Sequence, residues 1–174
     1  MTDLSTRDAG YERFPLVALV TLRMLIGWHL LYEGLAKLGN PYWTSAGFLD
    51  DAKWWFGALF RGLAASPTAV TVVDALNEWS LTLIGLALLL GIATRTATLA
   101  AIVLLGLYYV AAPPLVGLAY AMPAEGSYLV VNKVLIEIAA LVVLLALPTG
   151  HVVGLDRLRA RRQGSGLHAA PVRG

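Results

Sequence analysis

Ionisable side chains cluster inside apolar stretches of this chain. Arg23, His29, Glu33 and Lys37 fall in RMLIGWHLLYEGLAKL, and Lys133 and Glu137 in VVNKVLIEIAAL. The chemistry open to such a set is proton transfer, together with hydrogen bonding to a carbonyl-bearing or anionic ligand. Glu33 and Glu137 are carboxylates able to relay protons, and His29, which titrates nearest neutral pH, could gate that relay. Lys133 and Asn132 supply donors for a carbonyl oxygen or an anion. His29, Glu33 and Lys37 recur every four residues and so share one helix face, as do Lys133 and Glu137.

The stretches that must position these groups follow from composition. Of 174 residues, 58% are hydrophobic and only 14% charged, with a mean hydropathy of +0.70; soluble domains run near a quarter charged. The expected fold is all-α, an integral membrane four-helix bundle with an interfacial helical loop between the first two spans. Apolar runs at about 15–38, 72–93, 96–112 and 127–147 each approach the ~20 residues a spanning helix needs. They divide the chain into an N-terminal segment 1–14, a four-span domain 15–150 and a basic tail 151–174. The polar start, MTDLSTRDAGYERFP, is too acidic for a signal peptide. No strand-type alternation points to a β-barrel, and the small positive net charge of +2 gives no reason to expect nucleic acid.

Arginines set the expected topology. Arg7 and Arg13 precede the first span, Arg95 lies between the second and third, and Arg157, Arg159, Arg161 and Arg162 follow the fourth. By the positive-inside rule both termini are cytoplasmic, in a multi-pass protein of the cell membrane. The outer connection AGFLDDAKWWFGALFRGLAAS is rich in aromatic residues. It reads either as an amphipathic segment in the headgroup layer or as a lid packed on the bundle. Ser66-Pro67 reads as N-cap and first residue of the helix entering the second span. The prolines and glycines of PPLVGLAYAMPAEGS disfavour regular structure in the second outer loop. HVVGLDRLRARR reads as a helix on the inner surface, followed by a disordered end.

Helical rise puts the charges at depth. With Val17 at the inner boundary, Arg23 lies about 9 Å up, His29 about 18 Å and Glu33 about 24 Å. The fourth span runs the other way and brings Glu137 to about 18 Å and Lys133 to about 24 Å. Glu78 and Trp79 fall near 21–23 Å, and Tyr108 and Tyr109 at roughly 15–17 Å. Each lone charge would cost about 2.5–3.5 kcal/mol at mid-helix, so pairing inside the bundle is expected. The pairs can serve a ligand or merely fix helix register. Lys37 and Glu78 sit near the outer interface, where snorkelling accounts for them. Arg23 lies low enough to meet the tail or a lipid phosphate. His29 can be a core histidine satisfied by a neighbour, and Trp79, Tyr108 and Tyr109 can be packing residues.

Absent residue types narrow the redox options. With no cysteine there is no disulfide, no thiolate-held metal, no iron–sulfur cluster and no c-type haem attachment. A single histidine in the spans argues against bis-histidine haem. Metal ligation by His29, Glu33 and Glu137 lacks a supporting spacing, and no metal site is expected.

Taken in order, RMLIGWHLLYEGLAKL, NEWSLTLIGLALLLGIATR and YLVVNKVLIEIAAL followed by LPTG resemble the DoxX/DoxD membrane-protein superfamily, most closely its DoxD-type group. The resemblance runs from about Arg23 to Gly150. It implies a four-helix membrane bundle and, for the DoxD branch, oxidation of thiosulfate to tetrathionate with electrons passed to quinone alongside a DoxA subunit. The positions matching the family pattern are Arg23, Glu33, Gly34, Lys37, Glu78, Gly91, Arg95, Asn132, Lys133 and Glu137.

The preferred expectation is a membrane subunit of a quinone-linked oxidoreductase that works with a partner, DoxA-like or a larger membrane complex. In it Lys133 and Asn132 hold a quinone carbonyl or anion, Tyr108 and Tyr109 flank the ring, and Trp79, Arg23 and Glu78 complete the surroundings. Glu33, Glu137 and His29 handle protons. The alternative is a non-enzymatic anchor, assembly factor or stabiliser of another membrane complex. A small-solute transporter ranks last, because neither repeats nor broken spans appear.

Overall fold

The computed structural model describes residues 3–121, 129–150 and 153–156, with side chains from residue 13 onward. Its regular elements are α1 (Asp3–Leu38), α2 (Ala46–Asp50), α3 (Gly57–Ala64), α4 (Pro67–Leu90), α5 (Thr94–Ala111) and α6 (Lys133–Ala146). The surface helix read in 151–162 and the disordered end after it lie outside the described residues, apart from 153–156.

Local sequence sets most helix ends. Ser66 caps α4 with its side chain accepting from the Ala69 amide, and Pro67 fills the first position, where no amide donor is needed. Gly91, at φ 66°, closes α4 in the left-handed conformation that favours glycine. α5 starts almost at once, and its exposed amides are met from a distance: the Asp156 carboxylate accepts from Ala93 N at 2.8 Å and Thr94 N at 3.1 Å. Asn132, in extended conformation, caps α6 by accepting from the Leu135 amide at 2.9 Å.

Among the described residues three helices are long and apolar enough to cross a bilayer: Arg13–Leu38 of α1, α4 and α5. Of the apolar run at 127–147 the described residues begin at 129, and among them the 14 residues of α6 are helical, about 21 Å of rise. Its shortness has a local cause, since Leu129 takes φ 61° and the Asn132 cap excludes the residues before it from the helix.

α1 lies closest along α4, α4 and α6 both pack on α5, and α1 meets α6 only lightly. The α1–α4 approach is backbone to backbone: a Cβ on Gly85 would stand 2.7 Å from the Gly27 carbonyl oxygen, and one on Gly34 would stand 2.6 Å from the Thr82 amide nitrogen. Small residues permit such contact where lipid supplies no hydrophobic drive for helix association. Leu30, Leu81, Leu88, Ala101 and Leu141 fill the core between the four helices.

The bundle has two distinct ends. At the end holding the α4–α5 turn, buried Arg23 donates to Thr149 Oγ1 at 3.0 Å and to the Val153 carbonyl at 2.7 Å. The Leu155 and Asp156 amides bond the Leu90 and Gly91 carbonyls. Arg23 thus meets the segment after α6, one of the two partners its depth suggested. At the other end the connection from α1 to α4 folds back over the helices. α2 and the turn after it pack inward through Leu49 and Ala52, whereas Trp55 and Leu59 around α3 stay exposed, so one connection is lid in its first half and exposed aromatic surface in its second.

Candidate functional site

Under this lid lies a cavity of about 890 Å³, where α1 ends, α6 begins, and the loop after α5 turns back. Its floor is an uncharged polar pair. Asn77 of α4 donates from Nδ2 to the Tyr108 hydroxyl oxygen of α5 at 2.6 Å, which leaves the hydroxyl hydrogen to point elsewhere. The Asn77 Oδ1 atom is buried and meets no donor. Phe48 of α2 stands edge-on to the Tyr108 ring, with centroids 6.1 Å apart. Ser45, just before α2, ties the lid to α4 by donating to Asp74 Oδ1 from its amide at 2.8 Å and its hydroxyl at 2.5 Å.

Cations come from two helix ends. Lys37, in the last turn of α1, pairs with Glu33 at 2.6 Å and lies over the Trp43 ring at 5.6 Å. Lys133 opens α6 next to Asn132, and all of Lys37, Trp43, Asn132 and Lys133 line the cavity. Because Asn132 Oδ1 is occupied as a helix cap, its amide nitrogen is the atom left for a ligand.

Among the described residues, the one carboxylate on the wall is engaged elsewhere. Asp51 accepts from the Ala121 amide at 2.6 Å and from Lys53 at 3.1 Å. These contacts, the amide foremost, hold its pKa below the ordinary value. Lys53 also donates to the Ala119 carbonyl and lies 5.0 Å from the Tyr120 ring centroid. Tyr120 donates to the Pro113 carbonyl at 2.9 Å, and burial, then the Asp51 charge, raises its pKa above the usual phenol value. The cavity therefore offers hydrogen-bond donors and positive charge between aromatic walls, a chemistry matched to a ligand that bears acceptors.

Of the residues singled out by sequence, Asn132, Lys133 and Tyr108 come together here. His29 and Glu137 meet each other instead, Nδ1 to Oε1 at 3.0 Å, across the seam between α1 and α6. Glu33 stands one turn along α1, joined to the cavity wall through Lys37. Tyr109 donates to the Val130 carbonyl at 2.7 Å and does not line the cavity. Trp79 is exposed and Glu78 half-buried, both off the cavity wall, and Arg23 lies at the opposite end of the bundle. Among the described residues no cluster of three or more His, Asp or Glu side chains could hold a metal ion. Asn77, Trp43, Phe48 and Asp74 were not anticipated. Asn77 and Asp74 leave a faint sequence signal, as polar residues inside the apolar run of α4.

Fold and site together define an all-α protein whose long apolar helices make it a multi-pass membrane protein with a polar recess at one end of the bundle. Compared with protein-family profiles, with curated proteins and with solved structures, the chain matches none.

Proposed function

We propose that the cavity binds the head of a quinone and that the chain is the membrane subunit of a quinone-linked oxidoreductase, of the thiosulfate-oxidising DoxD type its sequence resembles. The observation that carries this reading is the donor set: Lys37, Lys133, the Asn132 amide and the Tyr108 hydroxyl facing one space, with Trp43 and Phe48 beside them. A quinone head is a flat ring with acceptor oxygens, and it suits donors set between aromatic faces. When bound, it accepts two electrons and two protons.

The chain's own residues bind and orient the head and manage protons. Lys133 and Asn132 hold one carbonyl from the start of α6, and Tyr108, its oxygen fixed by Asn77, presents its hydrogen from the floor. From the cavity wall, Lys37 leads to Glu33, and one turn further along α1 stands the His29–Glu137 pair. This file of ionisable groups along the α1–α6 seam is the proposed proton route. Electrons come from a sulfur substrate or from a partner subunit. The positive-inside rule, applied to the arginines of the sequence, supports a cavity that opens toward the outer face of the membrane. The non-enzymatic reading, an anchor or stabilising subunit, draws its support from the exposed Trp54–Trp55 stack, with centroids 4.7 Å apart.

The test is titration of the purified protein in lipid nanodiscs with a short-tailed quinone, followed by quenching of tryptophan fluorescence. Lys133→Ala and Tyr108→Phe should each weaken binding about tenfold, the equivalent of one charge-assisted or buried hydrogen bond. Val103→Ala, on the exposed face of α5, should leave it unchanged. Equal affinity in all four proteins would refute the proposal.

A further inference from the structure

α1 has two faces. Ile26, Gly27, Leu30 and Gly34 are buried toward α4, whereas Leu25, Trp28 and Tyr32 are exposed. At the edge of the exposed face, His29 and Glu33 keep 50% and 48% of their side-chain surface open even while bonded to Glu137 and Lys37. Both belong to the apolar stretch Arg13–Leu38 that is long enough to span a bilayer. Hydrocarbon is a poor neighbour for a half-open imidazole and carboxylate. Something polar must therefore cover the seam.

The pattern of charge along the seam identifies the cover. α6 begins beside the end of α1 at the cavity, and the chain beyond α6 returns to Arg23, so the two helices run antiparallel. His29 and Glu137 mark one level by their contact. One turn toward the cavity, Glu33 on α1 stands at the level of Lys133 on α6, and Lys133 is in Coulombic range of both Glu33 and His29. Each level thus carries one acid and one base, split between the two helices. A two-fold axis parallel to the helices sets every level against itself, α1 of one copy facing α6 of the other. Acid then meets base at both levels, as an isologous contact requires.

We propose that the α1–α6 face is a homodimer interface within the membrane, with the ionisable seam at its centre and Trp28, Tyr32 and Ile136 packing around it. All three flanking side chains are more than 60% exposed in the single chain. Opposite charges supply the specificity and the aromatic rim the contact area. The dimer stands independently of what the cavity binds.

The absence of cysteine makes the test direct, because an introduced thiol is the sole thiol in the chain. Trp28→Cys and Ile136→Cys proteins carrying different tags are co-reconstituted in liposomes at high lipid-to-protein ratio and oxidised. Leu83→Cys with Val103→Cys, exposed positions on α4 and α5, form the control pair. The expected result is a covalent dimer joining the two tags at least fivefold above the control pair, with photobleaching of the dye-labelled cysteine-free protein in two steps. A yield equal to the control, or single-step bleaching, would overturn the proposal. Cross-linking of Trp28→Cys in native membranes solely to a different protein would also overturn it, naming a partner subunit as the cover.

Discussion

Tyr108→Phe isolates what the floor of the cavity is for. The substitution removes one oxygen and keeps the ring that packs on Phe48. Asn77 then loses the acceptor for its Nδ2, and since its Oδ1 has no donor in the native protein, its whole amide is left unpaired. A buried polar group stranded in this way costs about 1–3 kcal/mol. Replacing both partners by apolar groups of similar shape is close to neutral, so the Asn77→Leu/Tyr108→Phe double variant should fall within about 1 kcal/mol of the native protein. Stability is read by denaturant titration in bicelles, followed by circular dichroism, and the pair should show a coupling of about 1–2 kcal/mol. Quinone affinity should behave differently: weakened in the single variant and still weak in the double, because the donor is gone from both. A double variant as unstable as the two single losses added together would refute the account of the pair. Recovery of affinity along with stability would refute its assignment to the ligand.

Four further outcomes are expected. Asn132→Ala should destabilise by about 1 kcal/mol through loss of the α6 cap, whereas Asn132→Asp keeps the cap oxygen and should weaken quinone binding alone, as measured by the same titrations. Gly85→Ala forces a methyl to within 2.7 Å of the Gly27 carbonyl oxygen and should cost about 1–3 kcal/mol by overpacking. Arg23→Leu strands Thr149 and the Val153 carbonyl, so proteolysis after α6 should accelerate while quinone affinity holds. The Asp51 contact with Ala121 should depend on pH in one direction only. Its folded pKa lies below the unfolded value, so the stabilisation is present above about pH 4 and is lost as pH falls through the lower folded value. The Ala121 amide resonance should therefore stay constant across the neutral range and move only in acid, and Asp51→Asn should abolish that movement.

Class and helix content were legible in the sequence because hydropathy and scarcity of charge are properties of whole segments. The Ser66-Pro67 start was legible because a cap is a local pattern. Regular helical rise put His29 and Glu137 at one depth, and they touch. Other features depend on where the chain bends. The lid brings Trp43 and Phe48 over the helix ends, and no periodicity reports that fold-back. The apolar run before α6 reads like span, yet the Leu129 conformation and the Asn132 cap stop the helix at Lys133. Charges drew attention to the α1–α6 seam, while the recess under the lid lies at the end of that seam on an uncharged floor of Asn77 and Tyr108. Sequence also left the connection after α1 open between lid and surface segment; burial of Leu49 and exposure of Trp55 divide it between the two.

The most direct measurement is photoaffinity labelling of the protein in liposomes with an azido-quinone, mapped by mass spectrometry. Label concentrated on the stretches 40–48, 108–121 and 132–134, and displaced by unmodified quinone, is the predicted result. Label spread evenly over the lipid-facing surfaces of α1, α4 and α5, or undiminished by competitor, would contradict a quinone site beneath the lid.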